Sequence, residues 1–128
     1  MAEKQIVVGV DDDFRVRESI ESLVESAGYM PRVFSSAEEF LGSGALGEAT
    51  CVITDVRMPG IDGVELQRRI RLQRPNMPVI FISAHFEDEI RRRALEGGAA
   101  DFMYKPFDAA DLLRAIDRAL NEGPNHRA

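Results

Sequence analysis

An α/β fold, with a five-stranded parallel sheet wrapped by helices, is what this sequence predicts, and three observations carry that reading. Short runs rich in Val and Ile alternate along the whole chain with stretches of helical spacing. Strictly alternating strands and helices imply right-handed crossovers and therefore a doubly wound parallel sheet. Four of the apolar runs also stop at a polar residue. Ile6-Val7-Val8-Gly9-Val10 meets Asp11-Asp12-Asp13, Cys51-Val52-Ile53-Thr54 meets Asp55, Val79-Ile80-Phe81-Ile82 meets Ser83, and Asp101-Phe102-Met103-Tyr104 meets Lys105-Pro106. The carboxyl ends of parallel strands share one edge, and ligands sit in the crevice outside it. The alternation leaves open which doubly wound strand order is adopted.

Each element has its own warrant. The first strand is 6–10. The helix after it spans Phe14 to Ala27, with Val16, Ile20, Leu23, Val24 and Ala27 on one face and Arg15, Arg17, Glu18, Glu21 and Glu25 on the other. Gly28 closes it as a C-cap. Tyr29 to Phe34 reads as the second strand. Ser36 caps a short helix holding Ala37, Phe40 and Leu41, and the glycines from Gly42 to Gly47 make the following segment loose. The third strand ends at Asp55. A Val56-Arg57-Met58-Pro59-Gly60 loop leads to a helix from Gly63 to Gln73 with Val64, Leu66 and Ile70 inward. Pro75 and Pro78 bracket the entry to the fourth strand. The fourth helix, Glu87 to Leu95, is densely charged, offers only Ile90, Ala94 and Leu95 to a core, and stops at Gly97-Gly98. After the fifth strand, Asp108 caps a last helix, Ala109 to Leu120, that buries Leu112, Leu113, Ile116 and Leu120. Residues 1–128 read as a single domain with a core of about 5–121 and a flexible tail over 122–128, which holds His126. Gly9 stands where a β-branched residue would be usual, so it weakens the first strand or admits a neighbouring backbone.

Composition narrows the function classes. The chain has 128 residues and a net charge of −6, which gives no basic excess to neutralise nucleic-acid phosphates. No run approaches the roughly 20 apolar residues that span a bilayer, and residues 1–5 do not resemble a signal peptide, so no membrane contact and a cytoplasmic location are expected. Cys51 is the single cysteine and lies within an apolar run, as a buried reduced thiol does.

Gathered at one sheet edge, a carboxylate pair, a third carboxylate, a hydroxyl and an ammonium form a pocket suited to a hard divalent cation and a phosphoryl group. Taken alone, Asp55 reads as a strand-ending loop cap, the acidic run as a solvated turn and Ser83 as a cap of the next helix. At this combined spacing, Val8-Gly9-Val10-Asp11-Asp12-Asp13, Asp55-Val56-Arg57-Met58-Pro59-Gly60-Ile61-Asp62-Gly63, Ile82-Ser83-Ala84 and Lys105-Pro106-Phe107 resemble the receiver domain of two-component response regulators. They are most similar to receivers of the nitrogen-fixation and LuxR-type regulators.

The resemblance implies a flavodoxin-like (βα)5 fold with strand order 2-1-3-4-5. It implies Asp55 as phospho-acceptor, and Mg2+ (or Mn2+) bound directly by Asp12 and Asp55, through water by Asp11, and by the Arg57 backbone carbonyl. Ser83, Ala84 and Lys105 would bind the phosphoryl group, Ser83 and Phe102 would form the switch, and Pro106 would follow a cis bond. His85 would flank the site, with Tyr104 nearby. The partners implied are a histidine kinase or phosphotransfer protein, and an output protein on the face of the fourth helix, fifth strand and fifth helix. The chain would be a monomer or a phosphorylation-dependent dimer. It would not be an enzyme of small-molecule turnover, although it would promote its own phosphorylation and dephosphorylation. One alternative is the receiver part of a DNA-binding transcription regulator. A remote one is a haloacid dehalogenase-type phosphatase, with its Asp-x-Asp pair drawn from Asp11 to Asp13.

Overall fold

A computed structural model of the chain describes residues 4–121. The elements run β1 (Ile6–Val10), α1 (Phe14–Ser26), β2 (Met30–Phe34), α2 (Ala37–Ser43), β3 (Ala49–Asp55), α3 (Gly63–Gln73), β4 (Val79–Ser83), α4 (Asp88–Glu96), β5 (Asp101–Tyr104) and α5 (Ala109–Asn121). All five strands pair in parallel, in the order β2-β1-β3-β4-β5. The tail expected over 122–128, His126 included, lies outside the described residues.

Strand pleating sorts the core into two layers. Val8, Val10, Val52, Val79 and Phe81 face α2, α3 and α4, where Phe40, Leu66, Ile70 and Ala94 meet them. Val7, Cys51, Ile53, Ile80 and Ile82 face the other way, onto Ile20 and Val24 of α1 and Leu112 and Ile116 of α5. Among the described residues no helix is long and apolar enough to cross a membrane.

Local chemistry sets the helix ends. The Asp13 carboxylate accepts from Arg15 N–H at 2.8 Å and starts α1. Ser36 Oγ accepts from Glu39 N–H at 3.0 Å, while Glu39 reaches back to Ser35 N–H at 2.7 Å. Asp108 accepts from Ala110 and Asp111 and caps α5.

Four expectations need correction. Ala27 is exposed because it terminates α1 instead of continuing its buried face. The glycine-rich segment is ordered: Gly44, at φ +81°, closes α2, and a short 3-10 turn over Ala45–Gly47 buries Ala45 and Leu46. Gly9 admits a side chain, not a backbone, for a Cβ there would stand 2.9 Å from Ile20 Cγ2, and β1 stays paired on both sides. In α4, Ala94 is buried and Leu95 is 38% exposed. The buried Gln67 amide of α3 donates to the Ala94 carbonyl at 3.0 Å and draws that face inward, which turns Leu95 out.

Cys51 is fully enclosed, and burial pushes its thiol up to about 12. The folded protein is therefore expected to resist a thiol reagent at pH 8, and the same sample in denaturing urea to react with one thiol per chain. Rapid labelling of the folded protein would contradict this packing.

Candidate functional site

The strand order places the site. β1 and β3 are neighbours although β2 intervenes in sequence, so the chain reverses direction across the sheet at that point. Val10 lies beside Thr54 in the register, which sets Asp11 against Asp55 at the carboxyl edge. On the other side Asp55 pairs with Ile82 and Ser83 with Tyr104, and the Lys105 N–H donates to the Ser83 carbonyl at 2.7 Å. Four strand ends thus converge.

Asp11 is wholly buried and Asp55 is 6% exposed, while Asp12 is exposed. One carboxylate oxygen from each of the three lies within 4.8 Å of the others. Lys105 Nζ stands 2.9 Å from Asp11 Oδ2 and 3.0 Å from Asp55 Oδ2. Its contact with Asp55 is a hydrogen bond. Its contact with Asp11 is an ion pair out of line, so Asp11 Oδ2 is a buried oxygen with no aligned donor. The other oxygens are held by the backbone: Asp11 Oδ1 accepts from Asp13 N–H at 2.8 Å, and Asp55 Oδ1 from Val56 N–H at 2.7 Å.

The charge balance is uneven. Burial raises the Asp11 carboxyl above its ordinary value; the Asp13 amide and Lys105 oppose the rise, and Asp55 adds to it. Burial alone would lower the Lys105 ammonium, but Asp11 and Asp55 together hold it above the usual lysine value. Asp11 and Asp55 share one ammonium, and exposed Asp12 adds a third carboxylate beside them. An all-oxygen donor set with surplus negative charge and a donorless buried oxygen fits a hard divalent cation.

The Asp55 backbone is tightly confined. Thr54 Oγ1 donates to the Asp55 carbonyl at 2.9 Å, and Gly63 N–H donates to the Val56 carbonyl at 2.7 Å. A Cβ on Gly63 would fall 2.2 Å from the Asp55 carbonyl oxygen, so only glycine lets α3 start this close to β3.

The remaining candidates are placed as follows. Arg57 is in the loop leaving β3, and its Nε donates to Glu87 at 2.9 Å. Ser83 is buried; its Oγ accepts from His85 N–H at 3.0 Å and donates to the His85 carbonyl at 3.2 Å, so it caps its own turn and not α4. Ala84 and His85 are exposed beside it. Lys105-Pro106 is cis. Phe102 is inward, 8% exposed, and stacks on Phe81 with centroids 5.9 Å apart. Asp13 caps α1 instead of joining Asp11 at the site, which removes the Asp-x-Asp pair a haloacid dehalogenase-type phosphatase needs.

Residue reading missed the roles of Gly63, Gln67, Phe86 and Glu87. A polar Gln67 three positions from both Val64 and Ile70, on an otherwise apolar face, was a readable signal. The Glu87 and Phe86 partners lie in other elements and leave no local signature.

Comparison with known proteins agrees with this geometry. The family model described as the response regulator receiver domain matches residues 7–117. The chain is 39% identical over 125 residues to the response regulator protein TmoT of Ectopseudomonas mendocina, covering 98% of this chain and 57% of that protein. It is 40% identical over 120 residues to the transcriptional regulatory protein FixJ of Azorhizobium caulinodans, covering 94% and 57%. The chain spans little more than half the length of these curated relatives. Among solved structures, a CheY-like receiver domain protein of Methanospirillum hungatei superposes with a TM-score of 0.86 at 26% identity, covering 94% of this chain and 96% of the other. The structure titled FixJ-N superposes at 0.81 and 33% identity, covering 93% and 95%.

Proposed function

Because the chain belongs to the family of response regulator receiver domains, we propose that residues 5–121 form one receiver module that accepts a phosphoryl group on Asp55 from a phosphohistidine of a kinase or phosphotransfer protein. The supporting observation is the cluster in which buried Asp11 and Asp55 share the ammonium of Lys105 while a carboxylate oxygen of exposed Asp12 lies within 4.8 Å of theirs. In the transfer, an Asp55 carboxylate oxygen bonds to phosphorus and the donor's N–P bond breaks. The electron pair leaves with the imidazole, and the product on Asp55 is an acyl phosphate.

Asp11, Asp12, Asp55 and the Arg57 carbonyl would hold Mg2+ (or Mn2+). When bound, the cation offsets charge on the phosphoryl oxygens. The other roles belong to the chain. Lys105 exchanges its contact with Asp55 for a phosphoryl oxygen, Ser83 donates its hydroxyl proton to another, and the small Ala84 leaves the approach open. Phe102, which stacks on Phe81 in the strand of Ser83, forms the switch with Ser83. Autodephosphorylation is the reverse demand on the same pocket, with water as acceptor. The output face is α4, β5 and α5, offered to a partner protein in the cytoplasm or to a second copy after phosphorylation.

A second reading has its own support. The match covers only 57% of the relative named as a transcriptional regulatory protein, so this chain fits the receiver part of a DNA-binding regulator. Both readings place the same chemistry on Asp55.

Incubation with acetyl phosphate and Mg2+ is the test. Intact mass should rise by one phosphoryl group, the label should be lost to hydroxylamine, and EDTA should prevent it. A chain that stays unlabelled under these conditions is not a phospho-acceptor.

A further inference from the structure

Residues 84–87, between β4 and α4, are tethered to three different elements in succession. His85 is bonded through both its N–H and its carbonyl to Ser83 Oγ, at the end of β4. The Phe86 ring stacks on Tyr104 of β5, with centroids 4.3 Å apart and planes at 25°. The Glu87 carboxylate takes the Arg57 guanidinium of the β3–α3 loop. Phe86 is 74% exposed, so a need to fill the core does not explain its position.

We propose that Phe86 is a positioning residue: its stack on Tyr104 staples the β4–α4 loop in the resting conformation, in which the Ser83 hydroxyl is withheld from the phosphoryl site. The proposal rests on the phospho-acceptor reading of Asp55 and deepens it.

Ser83 has a single hydroxyl hydrogen, and here it is donated to the His85 carbonyl while the oxygen accepts from the His85 N–H. To donate to a phosphoryl oxygen on Asp55, Ser83 must give up the His85 carbonyl, and the 83–85 turn must open. Phe86 is the next residue, so opening that turn shifts its ring relative to Tyr104. The Tyr104 backbone is held in place, because it is paired with Ser83 in the register and followed by Lys105, whose N–H is bonded to the Ser83 carbonyl. Its ring is also wedged edge-on against Phe102, 5.5 Å between centroids, and Phe102 is stacked in turn on Phe81. Phe81 and Phe102 are buried and Tyr104 is half-buried. The outer ring, Phe86, is the exposed one, so its contact with Tyr104 is the one that yields when the turn opens.

Energetic coupling of this kind is reciprocal: a contact present only in the resting state weakens phosphoryl binding by its own worth. Loss of one aromatic pair should therefore tighten binding of a phosphoryl mimic by about 2- to 10-fold. The gain would come from removing a contact, which is the reverse of what damage to a site produces.

The test uses the full chain and beryllofluoride with Mg2+, followed by NMR. Phe86→Ala should bind the mimic about 2- to 10-fold more tightly than wild type. Without the mimic, its amides from Ser83 to Asp88 should lie displaced toward the mimic-bound wild-type positions. Phe86→Tyr, which keeps the stack, should restore both properties. Tyr104→Leu should reproduce the gain, and the double variant should add little beyond either single change. A merely structural role would lower the unfolding midpoint in urea and leave mimic affinity unchanged. Unchanged or weaker affinity in Phe86→Ala, or fully additive effects in the double variant, would overturn the proposal. If wild type itself shows no mimic-dependent shifts around Asp55, the phospho-acceptor reading fails first, and the staple with it.

Discussion

Asp55→Asn will take up no phosphoryl group from acetyl phosphate and Mg2+, with labelling falling from one group per chain to background, while the protein stays folded. The amide removes the anionic oxygen that must attack phosphorus, so the chemistry has no substitute in the pocket: Asp11 holds Lys105 and a backbone amide, and Asp12 is exposed at the rim. The fold has less at stake. An Asn side-chain oxygen can still accept from Val56 N–H, and the neighbouring contacts of Thr54 and Gly63 are made to the Asp55 and Val56 backbone. One of three mutually repelling carboxylates is also gone. Intact mass and urea unfolding on the same samples separate the two consequences. Labelling of Asp55→Asn at the wild-type level would place the acceptor elsewhere.

Much of this was legible in the residues, for identifiable reasons. Strand-end chemistry reads directly, because an apolar run that stops at Asp11, Asp55, Ser83 or Lys105 declares both the element and the group at its carboxyl end. Caps read equally well, since the Ser36 and Asp108 side chains bond backbone groups two or three residues away. Strand order did not read from periodicity; it came through resemblance, since pairing β1 with β3 is a choice about residues more than 40 positions apart in sequence. The misses share one physical origin. Leu95 turns outward because Gln67 of another helix holds the Ala94 carbonyl, and Gly9 leaves room for Ile20 of α1. Phe86 finds Tyr104, and Glu87 finds Arg57, across gaps that no window spans. Contacts within a turn are written locally, whereas contacts between elements are decided by the packed whole.

Lys105→Met should destabilise the metal-free protein at pH 7 by about 3 kcal/mol, the low end of what breaking a buried ion pair costs. The reason is the position of the ammonium. It is the one cation among the described residues in contact with both Asp11 and Asp55, and those carboxylates are almost wholly out of water. Its own side chain is 18% exposed, so some water already reaches the pair, which favours the low end of the range. Methionine fills similar space without charge, so the loss is electrostatic and not a cavity. The pH dependence has a definite sign. Asp11 is already raised with Lys105 present, and removing the ammonium raises its folded-state value further above the unfolded value of about 3.9. A carboxyl raised on folding binds more protons in the folded state. Its destabilising effect is therefore full at neutral pH, fades as pH falls through the folded value, and disappears below the unfolded one. The gap between Lys105→Met and wild type should narrow from pH 7 to pH 5. Mg2+ should narrow it at fixed pH as well, because the variant, lacking the ammonium, binds the cation more tightly: at saturating metal, roughly tenfold tighter binding than wild type closes about 1.4 kcal/mol of the gap. Urea unfolding at both pH values, with and without Mg2+, measures all of these differences. If the variant matched wild type at pH 7 without metal, the three carboxylates would not be in need of a counter-charge, and the cluster would lose its claim to be a cation and phosphoryl site.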